Sequence, residues 1–130
     1  MKPVSPPPLR IVVVEDDQAL LGALAFALEL EGYEVGGFGS AEAALDGDLS
    51  GACFIIDYLL PDSSGLELLQ RLRSEGHTIP AILITSHPAA LVRSIAASLD
   101  AVVVEKPLLS DDLVEAVRRL TRTSVDFAAA

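Results

Sequence analysis

Residues 11–17 read Ile-Val-Val-Val-Glu-Asp-Asp, a short β-branched run that ends abruptly in three acidic residues. Short apolar runs of this kind are typical of strands that are covered on both faces of a sheet. Four more short runs, most of them rich in β-branched residues, follow along the chain. The five predicted strands are Ile11–Val14, Glu34–Phe38, Cys53–Ile56, Ala81–Ile84 and Ala101–Val104.

Helix signals lie between the predicted strands. Gly32 suits the end of a helix, Ser64 and Glu67 have capping-box spacing, and Ser40 and Ser110 are good N-cap residues. The predicted helices are Gln18–Glu31, a short helix after Ser40 through Leu45, Gly65–Glu75, Ala89–Ser98, and one from Ser110 to about Thr121. Strands that alternate with helices in this way predict an α/β fold, a doubly wound five-stranded parallel sheet with helices on both faces.

Length and composition favour one domain with a core of aliphatic residues. The chain has 130 residues, of which 51% are hydrophobic and only 5% aromatic. We expect a Pro-rich arm over residues 1–9, the folded domain over residues 10–121, and a tail without periodic pattern over residues 122–130. The single cysteine, Cys53, excludes a disulfide framework, and its apolar surroundings predict a buried, inert thiol.

Charge and hydropathy exclude several classes of protein. Nine basic residues against nineteen acidic ones give a formal net charge of −10, so we expect no direct binding of nucleic acid, which needs clustered Lys and Arg. No apolar run has the length of about 18 residues that a membrane-spanning helix requires, and the N-terminus lacks the apolar core of a signal peptide. A cytoplasmic protein without membrane insertion is therefore predicted.

Residues with complementary chemistry follow four of the five predicted strands. In open parallel sheets the binding site lies outside the carboxyl ends of the strands, so we expect these residues to meet in one pocket. They are Glu15, Asp16 and Asp17 after the first strand, Asp57 after the third, Thr85 and Ser86 after the fourth, and Glu105, Lys106 and Pro107 after the fifth.

This set of residues favours phosphoryl transfer with a divalent cation. Clustered carboxylates repel one another unless a cation joins them, and hard oxygen ligands suit Mg²⁺. A carboxylate beside the cation can attack phosphorus, while Lys106 and Thr85 can donate to the phosphoryl oxygens. Taken singly, each residue has an ordinary structural explanation; Asp17, for example, suits the N-cap of the following helix. The conjunction of four strand ends argues for the functional interpretation.

From about residue 10 to residue 121 the chain resembles the receiver domains of two-component response regulators. The motifs that carry the resemblance are Val13–Asp17, Asp57–Gly65, Ile84–Ser86 and Lys106-Pro107. The resemblance implies a flavodoxin-like (βα)5 fold and a phosphoprotein that works in signal transduction through a phosphorelay. It also implies a cis peptide bond between Lys106 and Pro107.

The resemblance assigns a role to each matching residue. Asp57 is implied to be the phosphoacceptor, and Thr85 and Lys106 to bind the phosphoryl oxygens. Mg²⁺ is implied to have Asp16 as a direct ligand and to be held by Glu15 through a water molecule. Asp57 and the backbone carbonyl of Leu59 are implied to be further ligands.

Two positions bear on how such a domain would switch. Residue 103 is valine, where family members that switch through an aromatic side chain usually carry Tyr or Phe. His87, two residues after Thr85, could gate water or contact phosphate, or it could be an exposed loop histidine before Pro88.

The predicted function is a single-domain response regulator that is not an ordinary enzyme. A histidine kinase or histidine phosphotransfer protein is the expected donor, a downstream protein the expected target, and a monomer or weak dimer the expected state. Residues 122–130 are too few for a DNA-binding module. Three alternatives stay open: a receiver-like binding module that ignores phosphate, the receiver segment of a hybrid histidine kinase, and a phosphohydrolase. The phosphohydrolase would need a second acid where Leu59 stands.

The first predicted helix offers a contact surface for the expected phosphodonor, the histidine kinase or histidine phosphotransfer protein. On a helical wheel, Leu20, Leu24, Ala27 and Leu28 cluster on the core side, opposite Gln18 and Glu29. Gly22 and Ala25 lie inside the solvent arc, and Leu21 and Phe26 flank it. Because no charged residue lies between Gln18 and Glu29, we predict an apolar contact surface there.

Overall fold

The computed structural model describes residues 7–108 and 111–129, with side chains as far as Arg122. Within these residues, five strands alternate with five helices, as predicted. The strands are β1 (Arg10–Val14), β2 (Glu34–Phe38), β3 (Cys53–Asp57), β4 (Ala81–Thr85) and β5 (Ala101–Glu105). The helices are α1 (Gln18–Leu30), α2 (Ala41–Leu45), α3 (Gly65–Ser74), α4 (Ala90–Ser98) and α5 (Asp112–Ala129).

The five strands form one parallel sheet in the order β2-β1-β3-β4-β5. Val14 lies opposite both Phe38 and Ile56, and Asp57 lies opposite Ile84, so the carboxyl ends of neighbouring strands are level. The chain moves from β1 outward to β2 and then returns past β1 to β3. The ends of β1 and β3 therefore flank the switch point at which doubly wound sheets place their ligands.

Two hydrophobic clusters cover the two faces of the sheet. In β1, Ile11 and Val13 pack with α1 and α5, while Val12 and Val14 pack with α2, α3 and α4. Each fully buried aliphatic side chain contributes about 1.5–3 kcal/mol, and burial on both faces explains why the central strands read as continuous apolar runs. The predicted fold class, a doubly wound α/β sheet of the flavodoxin-like type, is confirmed.

Most helix boundaries lie within a residue or so of their predicted positions. The Asp17 carboxylate accepts hydrogen bonds from the backbone N–H groups of Ala19 and Leu20, so it caps α1. Ser40 and Ser64 cap α2 and α3 through single bonds from Ala43 and Glu67. Ser110 lies outside the described residues.

The last helix is longer than predicted. We expected it to end near Thr121 and to be followed by a patternless tail, but α5 continues to Ala129. The reason is that no glycine or proline follows Pro107, so nothing in the sequence terminates the helix. The Pro-rich arm falls largely on residues outside the described ranges, and the domain boundaries stay predictions.

The interior contains the single cysteine. Cys53 has no exposed surface, and burial raises the pKa of its thiol to about 12. The thiol therefore stays protonated, which agrees with the predicted inert state. None of the helices in the described part of the chain is long and apolar enough to cross a membrane.

Candidate functional site

Most of the predicted residues meet in a pocket of about 310 Å³ at the carboxyl edge of the sheet, but Glu105 and Pro107 do not line it. Glu105 is exposed at the end of β5, where its carboxylate lies 3.9 Å from the Arg93 guanidinium. Four strand ends contribute to it, because the level strands bring the loops after β1, β3, β4 and β5 to one place. The pocket is lined by Glu15, Asp16, Asp17, Asp57, Tyr58, Leu59, Thr85, Ser86 and Lys106.

Three carboxylates form the acidic part of the pocket. Glu15, Asp16 and Asp57 each offer an oxygen atom, and these atoms all lie within 4.8 Å of one another. Glu15 and Asp57 are buried, with 1% and 5% of their surface exposed, whereas Asp16 is exposed. Asp17 lines the pocket but uses its carboxylate to cap α1, so the structural explanation considered for Asp17 holds.

Glu15 is held in a conflicting environment. Its Oε1 accepts a hydrogen bond from the backbone N–H of Asp17, but its buried Oε2 has no hydrogen-bond partner. Burial, and to a smaller extent the nearby Asp57 carboxylate, raise the pKa of Glu15 to about 7. A bound cation would resolve this conflict, because it would give Oε2 a counter-charge and relieve the repulsion from Asp57.

The donor set fits Mg²⁺. All available ligand atoms are hard oxygens, two of the three carboxylates are buried, and the pocket is large enough for the water molecules that Mg²⁺ retains. Leu59 also lines the pocket, although its side chain is largely exposed, which leaves its backbone as the part suited to a ligand role.

Lys106 supplies the positive charge at the site. Its Nζ lies 3.2 Å from Oδ1 and 3.3 Å from Oδ2 of Asp57, and 3.9 Å from Oε2 of Glu15. Its backbone N–H donates to the carbonyl of Thr85, and the Lys106–Pro107 peptide bond is cis, as the resemblance implied. The ammonium group therefore faces the two buried carboxylates together.

The remaining predicted residues surround Asp57. Thr85 ends β4 and is buried beside the pocket. Tyr58 donates its N–H to the carbonyl of Ile84, which extends the β3–β4 pairing just beyond Asp57. His87 is exposed and does not line the pocket. Val103 is half-buried and packs against the hydrophobic cluster on the α4 side of the sheet.

Two further residues were not singled out by sequence reasoning. Gly65 begins α3 so close to β3 that an added Cβ would collide with the backbone carbonyl of Asp57, so only glycine fits there. Asp62 accepts hydrogen bonds from the N–H groups of Ala41 and Glu42, which lie about twenty residues earlier in the chain. Gly65 was visible as the first residue of a helix after a strand-end Asp, but the Asp62 contact has no local sequence signal.

Comparison with known proteins agrees with this geometry. The family model of the response regulator receiver domain matches residues 11–118. Among curated proteins, the response regulator protein TmoT of Ectopseudomonas mendocina is 36% identical over 113 residues, which cover 83% of this chain and 50% of TmoT. The chain spans about half the length of the curated relatives that it matches.

Solved receiver domains share the fold along almost their whole length. A CheY-like receiver domain protein from Methanospirillum hungatei superimposes with a TM-score of 0.85 at 26% identity, covering 92% of this chain and 98% of that one. The response regulator TrrA of Thermotoga maritima, solved in complex with Mg(2+)-BeF, gives a TM-score of 0.74 at 30% identity, covering 86% and 98%. This chain therefore belongs to the response regulator receiver domain family.

Proposed function

We propose that this receiver domain accepts a phosphoryl group on Asp57, with Mg²⁺, from a histidine kinase or a histidine phosphotransfer protein. The observation that carries the proposal is the buried Asp57 carboxylate, which faces Lys106 Nζ at 3.2 Å and shares the pocket with Glu15 and Asp16. TrrA, a relative that was crystallised with Mg(2+)-BeF, supports the same chemistry for this pocket.

The residues of the pocket divide the work of phosphoryl transfer. An Asp57 oxygen attacks phosphorus as the bond from phosphorus to the donor imidazole nitrogen breaks, and the product is an acyl phosphate. The Lys106 ammonium group, already within 3.3 Å of both carboxylate oxygens, is placed to donate a hydrogen bond to a phosphoryl oxygen and to balance its negative charge. Thr85 can donate its hydroxyl to another equatorial oxygen.

The metal would be held by the carboxylates of Glu15, Asp16 and Asp57 and by the Leu59 carbonyl. When bound, Mg²⁺ would neutralise charge on the phosphoryl oxygens and on the carboxylates that surround them. Glu15 and Asp57 contribute by being fixed and largely dry, so that their charge is weakly screened and little reorganisation accompanies the reaction.

In this proposal the phosphorylated domain acts as a phosphorelay shuttle, a sink or a protein-binding switch. A second candidate function is a binding module whose contacts do not depend on phosphate. Val103 favours this second candidate, because a valine cannot couple to Thr85 through the ring movement that an aromatic residue would make. The two functions differ in whether a phosphoryl group on Asp57 changes the conformation of the surface around β5.

A titration with beryllofluoride, which mimics a phosphoryl group on a carboxylate, separates the two candidates. The switch predicts saturable binding that requires Mg²⁺, together with shifts of backbone amide resonances in α4 and β5. Shifts confined to the pocket would favour the phosphate-independent module. Absence of any Mg²⁺-dependent binding would contradict the phosphoacceptor function itself.

The α1 surface is the proposed contact for the phosphodonor. Phe26 and Leu30 are exposed to 65% and 72%, and Gly22 and Ala23 are exposed beside them. Ala23 also lines a small apolar groove between α1 and α5, formed by Leu20, Ala23, Leu24, Ala27, Leu28, Leu108, Leu113 and Val114. A helix pair that carries a phosphohistidine is a partner of suitable shape for this groove.

A further inference from the structure

Asp62 links two segments that are far apart in sequence. It lies in the hairpin between β3 and α3, and its Oδ1 and Oδ2 accept hydrogen bonds from the N–H groups of Ala41 at 3.1 Å and Glu42 at 2.8 Å. Ser40 accepts only the next bond, from Ala43 at 3.0 Å. The N-terminus of α2 thus depends on a carboxylate from another part of the chain for two of its unpaired donors.

The hairpin that contains Asp62 leaves directly from the phosphoacceptor. Gly65 donates its N–H to the carbonyl of Tyr58 at 2.7 Å, and Leu59 and Ser64 form an antiparallel bridge. Leu59, whose carbonyl is a proposed metal ligand, therefore lies in the hairpin whose tip Asp62 anchors. Movement of the tip would move one wall of the pocket.

The other end of the Asp62 link leads to Glu15. α2 follows β2 after two residues, and the last residue of β2, Phe38, accepts a hydrogen bond from the N–H of Glu15 at 2.9 Å. Because β1 lies between β2 and β3, the hairpin and the start of α2 flank the acidic loop after β1. Asp62 therefore connects the hairpin that follows Asp57 with α2, and α2 is connected through Phe38 to Glu15.

We propose that Asp62 is a positioning residue for the phosphoacceptor site, which fixes the Leu59 hairpin relative to the Glu15 loop through the start of α2. The inference rests on the proposed function, since it concerns the geometry of the same metal and phosphoryl site. It adds a residue that does not line the pocket and whose carboxylate instead accepts hydrogen bonds from the start of α2.

The Asp62 carboxylate is suited to a permanent tether. The hydrogen bonds from the N–H groups of Glu42 and Ala41 keep the pKa of Asp62 below its usual range. The carboxylate is therefore ionised, and both bonds are charge-assisted, at any pH at which Mg²⁺ would bind.

Asp62→Ala tests the inference, with Asp46→Ala as the matched control. Asp46 and Asp62 both line a groove between α2 and α3. Asp46 is exposed, so its removal changes the charge equally without removing either of the Asp62 hydrogen bonds to α2. Residues that orient metal ligands cost about tenfold or more in affinity when removed. We expect Asp62→Ala to weaken Mg²⁺ binding by about this factor, measured by titration without phosphodonor, and to slow phosphorylation by a small donor. Asp46→Ala should stay near the wild type.

The outcomes separate the inference from the proposed function. Equal Mg²⁺ affinity in wild type and Asp62→Ala, even with a lower melting temperature, would show a merely structural cap and overturn the inference. Equal losses in Asp62→Ala and Asp46→Ala would show a charge effect and overturn it as well. Asp62→Asn, which keeps one acceptor oxygen for α2, should lose less affinity and gives the same comparison if the alanine variant does not fold. Wild type that binds Mg²⁺ but takes up no phosphate would contradict the proposed function, while the Asp62 comparison would still be decided by metal affinity.

Discussion

At the scale of single residues, Glu15 combines deep burial with an oxygen that has no hydrogen-bond partner. Its pKa of about 7, which burial raises, means that the folded protein binds this proton more tightly than the unfolded chain does. The stability that protonated Glu15 contributes is therefore fully present below the ordinary pKa of 4.5 and is lost as the pH rises to about 7. In the metal-free protein at neutral pH, ionisation of buried Glu15 should therefore lower the free energy of unfolding.

Replacing Glu15 by Gln should remove the destabilisation that the buried negative charge causes. Without divalent cations, Glu15→Gln should be more stable than wild type at about pH 8, by up to roughly 3 kcal/mol, and the difference should shrink toward about pH 5. Urea unfolding of both proteins at the two pH values measures the difference. A stability difference between Glu15→Gln and wild type that is the same at both pH values, or larger at pH 5, would contradict the assigned pKa.

Asp16 and Asp17 are neighbours with different tasks. Asp16 belongs to the carboxylate cluster, whereas Asp17 caps α1 through two backbone bonds. Asp16→Asn should weaken Mg²⁺ binding by about tenfold or more, and Asp17→Asn should change it little, because Asn is as good an N-cap as Asp. Calorimetric titration of both variants gives the ranking, and a larger loss for Asp17→Asn would mean that the ligand assignment is displaced by one residue.

At the scale of elements, α1 turns a slightly different face to solvent than the helical wheel predicted. Ala25 and Leu21 are half-buried, and the Leu21 side chain lies over Gly37 of β2. The exposed apolar surface is centred on Ala23 and Phe26. The wheel used ideal periodicity, and it could not include the space that a glycine in the adjacent strand leaves for a side chain.

This surface provides a prediction about the phosphodonor. Ala23→Arg should slow phosphotransfer from the cognate kinase or phosphotransfer protein by at least about tenfold, because it places a desolvated charge in an apolar contact. Phosphorylation by a small donor and the melting temperature should stay nearly unchanged. Ala97→Arg, the same substitution at an exposed position of α4, is the control. Equal rates for both variants with the protein donor would locate the docking surface elsewhere.

Strands and helix starts were predictable because each has a local cause. Buried strands such as Cys53–Asp57 show a continuous apolar run, and caps such as Ser40 and Asp17 precede their helices directly. The Asp62 link could not be predicted, since it joins positions about twenty residues apart through geometry that exists only after folding. The extension of α5 beyond Thr121 has a different cause: the hydrophobic periodicity weakens there, but no helix-ending residue follows.

At the scale of the whole molecule, the site results from topology. Glu15, Asp57, Thr85 and Lys106 come from four strand ends spread along the chain from residue 15 to residue 106, and the parallel register places them at one edge. Their convergence on one pocket could be predicted because the strand ends of a doubly wound sheet meet, whereas the raised pKa of Glu15 could not, because its main cause is burial in the folded chain.

Asp57 is the proposed phosphoacceptor of this receiver domain, and its carboxylate can be tested directly. Wild type and Asp57→Asn should be incubated with a small phosphodonor, with Mg²⁺ and with a chelator in its place, and examined by intact mass spectrometry. We expect wild type to gain the mass of one phosphoryl group only with Mg²⁺, and Asp57→Asn to gain none while it keeps the fold, since an amide is nearly isosteric with the carboxylate but is not a nucleophile. Equal phosphate uptake by Asp57→Asn would show that another residue accepts the phosphoryl group.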